Sequence, residues 1–224
     1  MNKSVDKVKA VTSRRTSVTL GAMAHVPAAE RRPQLVEAAI DLMARKGVEA
    51  GSTRAIAAEL GVAQATVHYT FGTKRDLYGA VVERLAGEMI DRVCAAAPAE
   101  AAPGAEGFAA SVRIMARALW DTYAERPGRF RVFDELTAIG SRDPDIRESL
   151  HEHQLAIERT AAELVTGLAA ETGVVLATDA GTLGRLFLGG FDGLVARHLV
   201  CDDGTHGADL DRLISAIVHL AVHG

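Results

Sequence analysis

The sequence predicts an all-α fold, in which a small N-terminal three-helix unit runs through one long helix into a larger helical part. Three observations carry this. The 224 residues are 48% hydrophobic but only 4% aromatic, so the core must be mostly Ala, Leu, Val and Ile; an Ala-rich chain with six Pro favours helix. Apolar residues recur three and four apart along most segments after residue 28, the spacing of one helix face. No stretch reads as a strand, and no internal repeat is present.

Residues 1–27 mix Ser, Thr, Lys and Arg without a helical period and are expected to form a disordered basic arm. A helical pattern starts at Ala28, with Pro33 tolerated only within a first turn. Val36, Ala39, Ile40 and Met43 share its inner face, and Gly47 stops it after Lys46. Ser52 is a good N-cap for a second helix reaching about Leu60, where Gly61 breaks it. A third short helix is expected over 64–70. Thr73 and Asp76 form a capping-box pattern and open a much longer helix. Leu77, Val81, Leu85, Met89 and Val93 run along it in one row, and it fades near Pro98. Residues 97–107, APAEAAPGAEG, read as a loop. Further helices are expected at about 108–125, 129–139, 144–171, 179–200 and 208–222.

Charge is distributed unevenly. Residues 1–92 carry 14 Lys and Arg against 10 Asp and Glu, whereas residues 93–224 carry 11 against 19. A mildly basic front and an acidic back point to a polyanion partner at one end only.

Two short helices joined by a Gly-containing turn have the helix-turn-helix pattern, in which the second helix lies in the DNA major groove. Ala57, Ala58 and Ala65 are small enough for close packing, and Val62 and Val67 can point inward with Ile56 and Leu60. Gln64, Thr66, His68, Tyr69 and Thr70 are left as the outward set. Gln can pair with adenine, Thr can meet a thymine methyl or a phosphate, and Tyr and His can donate to phosphates. Lys74 at the next helix start can reach a phosphate, as can Ser52, Thr53 and Arg54 at the first turn of their helix. The pattern alone is also that of a plain helix–helix corner with a solvated face.

Residues 31–85 resemble the DNA-binding domain of the TetR family of bacterial repressors. The resemblance rests on the opening helix ending in RKG, on Ser52, Arg54, Ile56 and Ala57, on the Gly61-Val62-Ala63 turn, and on Phe71, Lys74 and Leu77 after the recognition helix. The chain departs from the family at His68, often Tyr, at Thr70, often His or Tyr, and at Ala63, a turn Ser; Tyr69 is placed to take over a phosphate contact. The resemblance implies a three-helix helix-turn-helix domain joined by a long helix to a C-terminal helical ligand-binding and dimerisation domain. The expected division is an arm at 1–27, a DNA-binding domain at 28–75, and a ligand-binding and dimerisation domain at 76–224. It also implies a cytoplasmic homodimeric repressor, released from a palindromic double-stranded DNA operator by a small-molecule effector.

The C-terminal helices are apolar on more than one face, which requires burial on several sides. Pairing with the same two helices of a second copy would provide it. Leu183, Phe187, Leu194, Leu213, Ile217 and Leu220 are the expected interface residues. Met89, Met115, Leu119, Trp120, Tyr123, Phe133, Phe187 and Phe191 are the large residues expected to line a ligand pocket, although each is equally an ordinary core residue. The scarcity of charge among them points to an apolar or weakly polar effector.

Other readings carry less. Cys94 and Cys201 form no CxxC and fit a reducing compartment; a redox-sensing role is a weaker reading than a buried inert thiol. His151 and His153 point to different helix faces. His219 and His223 are better spaced but have no nearby carboxylate, so no metal is expected. GGFDG at 189–193 follows no strand and is read as a close-packing element, not a dinucleotide fingerprint. No cofactor and no catalysis are expected, and no apolar run is long enough for a membrane span. SRRTSVTLGAMA faintly echoes a twin-Arg export signal, and translation from Met23 is an alternative account of the first 22 residues. The rival reading of the whole is a helical ligand-binding or adaptor protein that does not read DNA.

Overall fold

The computed structural model describes residues 28–201 and 203–224, so the arm, the export echo and the Met23 start lie outside the described residues. The described chain is helical throughout, with no strand. The helices are α1 (Ala28–Lys46), α2 (Thr53–Leu60), α3 (Gln64–Phe71), α4 (Lys74–Ala96), α5 (Gly104–Glu125), α6 (Pro127–Gly140), α7 (Pro144–Thr172), α8 (Ala180–Val200) and α9 (His206–His223). None is long and apolar enough to cross a membrane.

Local chemistry sets most of the boundaries. Ser52 Oγ accepts from the Ala55 N–H at 3.2 Å and starts α2. Gly61 ends it at φ 65°, a left-handed conformation that favours Gly. At the start of α4, Thr73 Oγ1 accepts from the Asp76 N–H at 3.1 Å, and Asp76 Oδ2 accepts from the Thr73 N–H at 3.3 Å. Both halves of the capping box are therefore formed.

Several expectations need correction; the thiols of Cys94 and Cys201, expected to be buried, are both exposed. Pro33 is the sixth residue of α1, not part of a first turn. Its ring costs one helical hydrogen bond, on a face exposed to solvent. The 97–107 loop is shorter than composition suggested, because α5 already begins at Gly104. Gly107 sits inside that first turn, where a Cβ would lie 1.6 Å from the Ala102 carbonyl oxygen. Between α1 and α2 the chain also makes a 3-10 turn at Val48–Ala50, which no periodicity signals.

The head, α1 to α3 with the first half of α4, closes around Leu35, Ile40, Ile56, Val67, Leu77 and Val81. Val132 and Leu136 of α6 and Ile146 of α7 belong to the same core. The head is thus fused to the C-terminal helices by a shared interior. A second and a third core join α5, α7, α8 and α9.

Candidate nucleic-acid interface and ligand cavity

Helices α2 and α3 place the predicted contact residues on one end of the molecule. Ile56 and Val67 are buried and Leu60 and Val62 pack against them, which turns the opposite side of α3 outward. Arg54, Gln64, His68, Tyr69 and Lys74 are exposed, Tyr69 to 94%. A tyrosine this open has no packing role among the described residues. Ser52 is exposed but its oxygen is engaged as the cap of α2. Thr53, Thr66 and Thr70 are half-buried. The Thr70 hydroxyl donates to the Thr66 carbonyl at 2.8 Å, and Gln64 Nε2 donates to Thr53 Oγ1 at 3.4 Å. This ties the N-terminus of α3 to that of α2. The Lys74 ammonium lies 5.1 Å from the centre of the Tyr78 ring, leaving its donors free to turn outward.

The C-terminal helices enclose a cavity of about 160 Å³ between α4, α5, α6, α7, α8 and α9. Of the predicted pocket residues, Met89, Met115, Leu119, Phe133, Phe187 and Phe191 line it. Trp120 and Tyr123 do not. They pack behind Phe191, with Trp120 stacked on His206 at 5.2 Å and edge-on to His198. Gln154, Thr160 and Asp192 also line the cavity and were missed by reading for large apolar residues. Asp192 had a visible signal, as a lone charge between Gly and Phe in the otherwise apolar middle of α8.

Among the described residues Asp192 is the single charged side chain on the cavity wall, and it stays partly open to solvent. Lost hydration around its carboxyl, together with the nearby Asp134 carboxylate, pushes its pKa up to about 6. Burial also raises Asp134. Above its ordinary value the folded chain holds the Asp192 proton more tightly than the unfolded chain, so stability declines as pH rises and the penalty is complete above about 6. Asp192→Asn is therefore expected to stabilise the protein near neutral pH by roughly 1 kcal/mol, discounted for solvent screening. In thermal melts the gain should shrink as pH falls through about 6. A gain independent of pH would show that the charge is not its origin.

Helix α6 connects cavity and head. Phe130 and Phe133 face the cavity. Arg129 turns the other way, only 11% exposed, and donates to Glu37 at 2.8 Å and Asp41 at 3.3 Å on α1 and to Glu88 at 2.9 Å on α4. Arg84 of α4 pairs with Glu37 and Glu88 as well. Burial raises the Glu37 pKa, but the hydrogen bonds and charges of Arg129 and Arg84 outweigh it, and the net shift is downward. Nearly two turns further along α6, Glu135 accepts the Val48 N–H at 2.8 Å and closes the 3-10 turn after α1.

The expected interface residues divide. Leu183 and Ile217 are buried in the chain's own third core, so a partner would not meet them directly. Phe187, Leu194, Leu213 and Leu220 are half-buried against these cores. The apolar surface left open on α8 is instead a ridge of Leu186, Gly189, Gly193, Ala196 and Val200. Gly190 alone among the GGFDG glycines packs closely, against Leu213, where a Cβ would come within 2.6 Å; Gly189 and Gly193 face open space.

Residues 35–81 match the sequence profile of the bacterial regulatory proteins of the tetR family. The transcriptional repressor Rv3405c of Mycobacterium tuberculosis is 36% identical over 129 residues, 55% of this chain and 68% of that protein. The chain belongs to the TetR family. This TetR-family chain is also 30% identical over 131 residues to the nicotine-responsive transcriptional repressor HdnoR of Paenarthrobacter nicotinovorans. That match takes in 58% of the chain and 61% of HdnoR, so the chain spans about three fifths of that relative's length. A transcriptional regulator from Saccharomonospora viridis, solved in complex with choline, has the same fold with a TM-score of 0.67 at 23% identity. The superposition covers 88% of this chain and 100% of that one.

Proposed function

We propose that this protein is a DNA-binding transcriptional repressor of the cytoplasm that occupies a palindromic operator as a homodimer and leaves it when a small, largely apolar effector fills the cavity. Residues 28–75 are its reading head, and residues 76–224 bind the effector and dimerise. The observation that carries this is α6, whose Phe130 and Phe133 meet the cavity while Arg129 and Glu135 hold α1 and the turn after it. A ligand that displaces α6 must shift the head or break these bonds. Ligand and DNA then oppose each other through one reciprocal coupling free energy. The nicotine-responsive relative and the choline-bound structure support a small-molecule effector.

Two recognition helices related by a two-fold axis would read two half-sites, each α3 lying in a major groove. Gln64 and Thr66 are the base readers. Ser52, Thr53, Arg54, His68, Tyr69, Thr70 and Lys74 hold the backbone. The test is fluorescence anisotropy on the DNA upstream of the protein's own gene, over a range of salt. Affinity should fall steeply as salt rises. Lys74→Ala should weaken all sequences alike, whereas Gln64→Ala should change the preferred operator, at roughly 1–3 kcal/mol for a lost base contact. Identical sequence profiles for the two variants would mean that α3 is oriented differently on DNA. No rise in anisotropy with any operator-length duplex would remove the DNA-reading role.

A further inference from the structure

We propose that the cavity is built for an organic cation with an aryl or alkyl body, its charged head held at Asp192 and its body between Phe133, Phe187 and Phe191. This rests on the effector reading above and narrows it to a ligand class.

The wall composition carries the inference. A neutral apolar ligand needs no charge in its site, and a carboxylate on a mostly apolar wall weakens the fold unless something offsets it. Asp192 is that carboxylate, and Asp134 stands near enough on α6 to add its own negative field. Neither has an ion-pair or hydrogen-bond partner among the described residues, although Arg side chains elsewhere in the molecule are paired repeatedly. The unpartnered Asp192 on the cavity wall, with the Asp134 carboxylate near it, forms a negative pole, and an incoming cation is the missing partner. An anion would be repelled. Because Asp192 remains partly open to water, the head group can keep part of its hydration while the body enters the apolar interior.

The rings strengthen the case. Phe187 and Phe191 lie 6.0 Å apart by their centres, and Phe191 directly precedes Asp192 in the chain. Aromatic faces attract an alkylammonium through the ring quadrupole, an attraction that a neutral head of the same shape lacks. The volume sets the size. A site of about 160 Å³ matches an apolar cavity known to accept a benzene-sized guest, so the body amounts to about one ring.

The experiment compares phenyltrimethylammonium with tert-butylbenzene, which has the same shape without the charge. Titration calorimetry on the full chain, without DNA, reads binding. Operator anisotropy reads release separately. The neutral compound is the more apolar of the two, so everything in the cavity except the carboxylates and the ring quadrupoles favours it. The cation should nevertheless bind about tenfold or more tightly. Asp192→Asn should remove most of that preference, Asp134→Asn should reduce it, and Asp192→Glu should retain it. Thermal melts confirm that each variant is folded. Equal or tighter binding of tert-butylbenzene, no binding of either compound, or a preference untouched by Asp192→Asn overturns the proposal. Cation binding at Asp192 that leaves operator affinity unchanged upholds the site's chemistry and instead overturns release by an effector.

Discussion

Gly193→Glu is expected to give a folded monomer whose operator affinity is lower by two orders of magnitude or more, on the order of 3 kcal/mol. Gly193 lies on the exposed ridge of α8 with Leu186, Gly189, Ala196 and Val200, and Val200 is 84% exposed. An apolar ridge on a helix finds its natural cover in the same ridge of a second copy, because a two-fold axis makes one surface self-complementary. Small residues at its centre let the backbones approach. A glutamate at Gly193 would face its symmetry mate, and two like charges in a closing interface are costly. Within the chain the change is sterically silent, since a Cβ at Gly193 meets nothing within 4 Å. Replacing a helical Gly even favours helix by up to about 1 kcal/mol. Sedimentation should therefore show a monomer and circular dichroism an unchanged helix content. Affinity should fall because each monomer holds one half-site without the other. Gly190→Ala is the contrasting control, as its Cβ would strike Leu213 and disturb α8 against α9. A Gly193→Glu protein that sediments as a dimer would place the interface elsewhere.

Arg129→Gln is expected to lower stability by about 2 kcal/mol and to reduce the effect of the effector on DNA affinity toward none. The guanidinium is nearly enclosed and serves three carboxylates on two helices. Removing one partner of a buried ion pair typically costs about 3–5 kcal/mol. The lower figure applies because Glu37 and Asp41 keep contact with water and Arg84 still serves Glu37 and Glu88. The sign of the pH dependence follows from Glu37, whose pKa is lowered from 4.5 in the folded chain. Its contribution is present in full above that value and is lost as pH falls below it. The stability gap between wild type and Arg129→Gln should therefore be widest near neutral pH and close under acid, as followed by urea denaturation. The functional readout is operator anisotropy with and without phenyltrimethylammonium. Loss of stability with an intact effector response would make Arg129 a structural tie only, with the coupling carried by Glu135 and the shared core.

The helix boundaries were legible because they depend on short-range chemistry. A capping oxygen at Ser52 or Thr73 bonds an amide three residues on, and the Gly at 61 takes a φ that other residues resist. Both depend on neighbouring residues alone. The outward face of α3 was legible for a related reason, since Val67 must turn inward and the polar side chains are carried to the other side. Pro33 resisted the same reasoning, because α1 runs through it at the cost of one exposed bond.

Composition and periodicity marked α8 and α9 as helices needing cover on several sides. Which side the chain covers itself was a tertiary matter. Leu183, Ile217 and Leu186 are equally apolar, yet the first two are enclosed by α5, α7 and their neighbours, and only Leu186 is left open. The same holds for the cavity. Trp120 and Phe133 are both large aromatics on helices of the right kind, but Trp120 fills space behind Phe191 and Phe133 borders the void. Asp192 gains its raised pKa first from the hydration it loses in the packed fold and then from Asp134 of α6, 58 positions before it. Caps and helical faces follow from residues within one or two turns, so the chain specifies them locally. Burial, charge pairing and the shape of a void depend on which distant helices meet, and only the packed fold decides that.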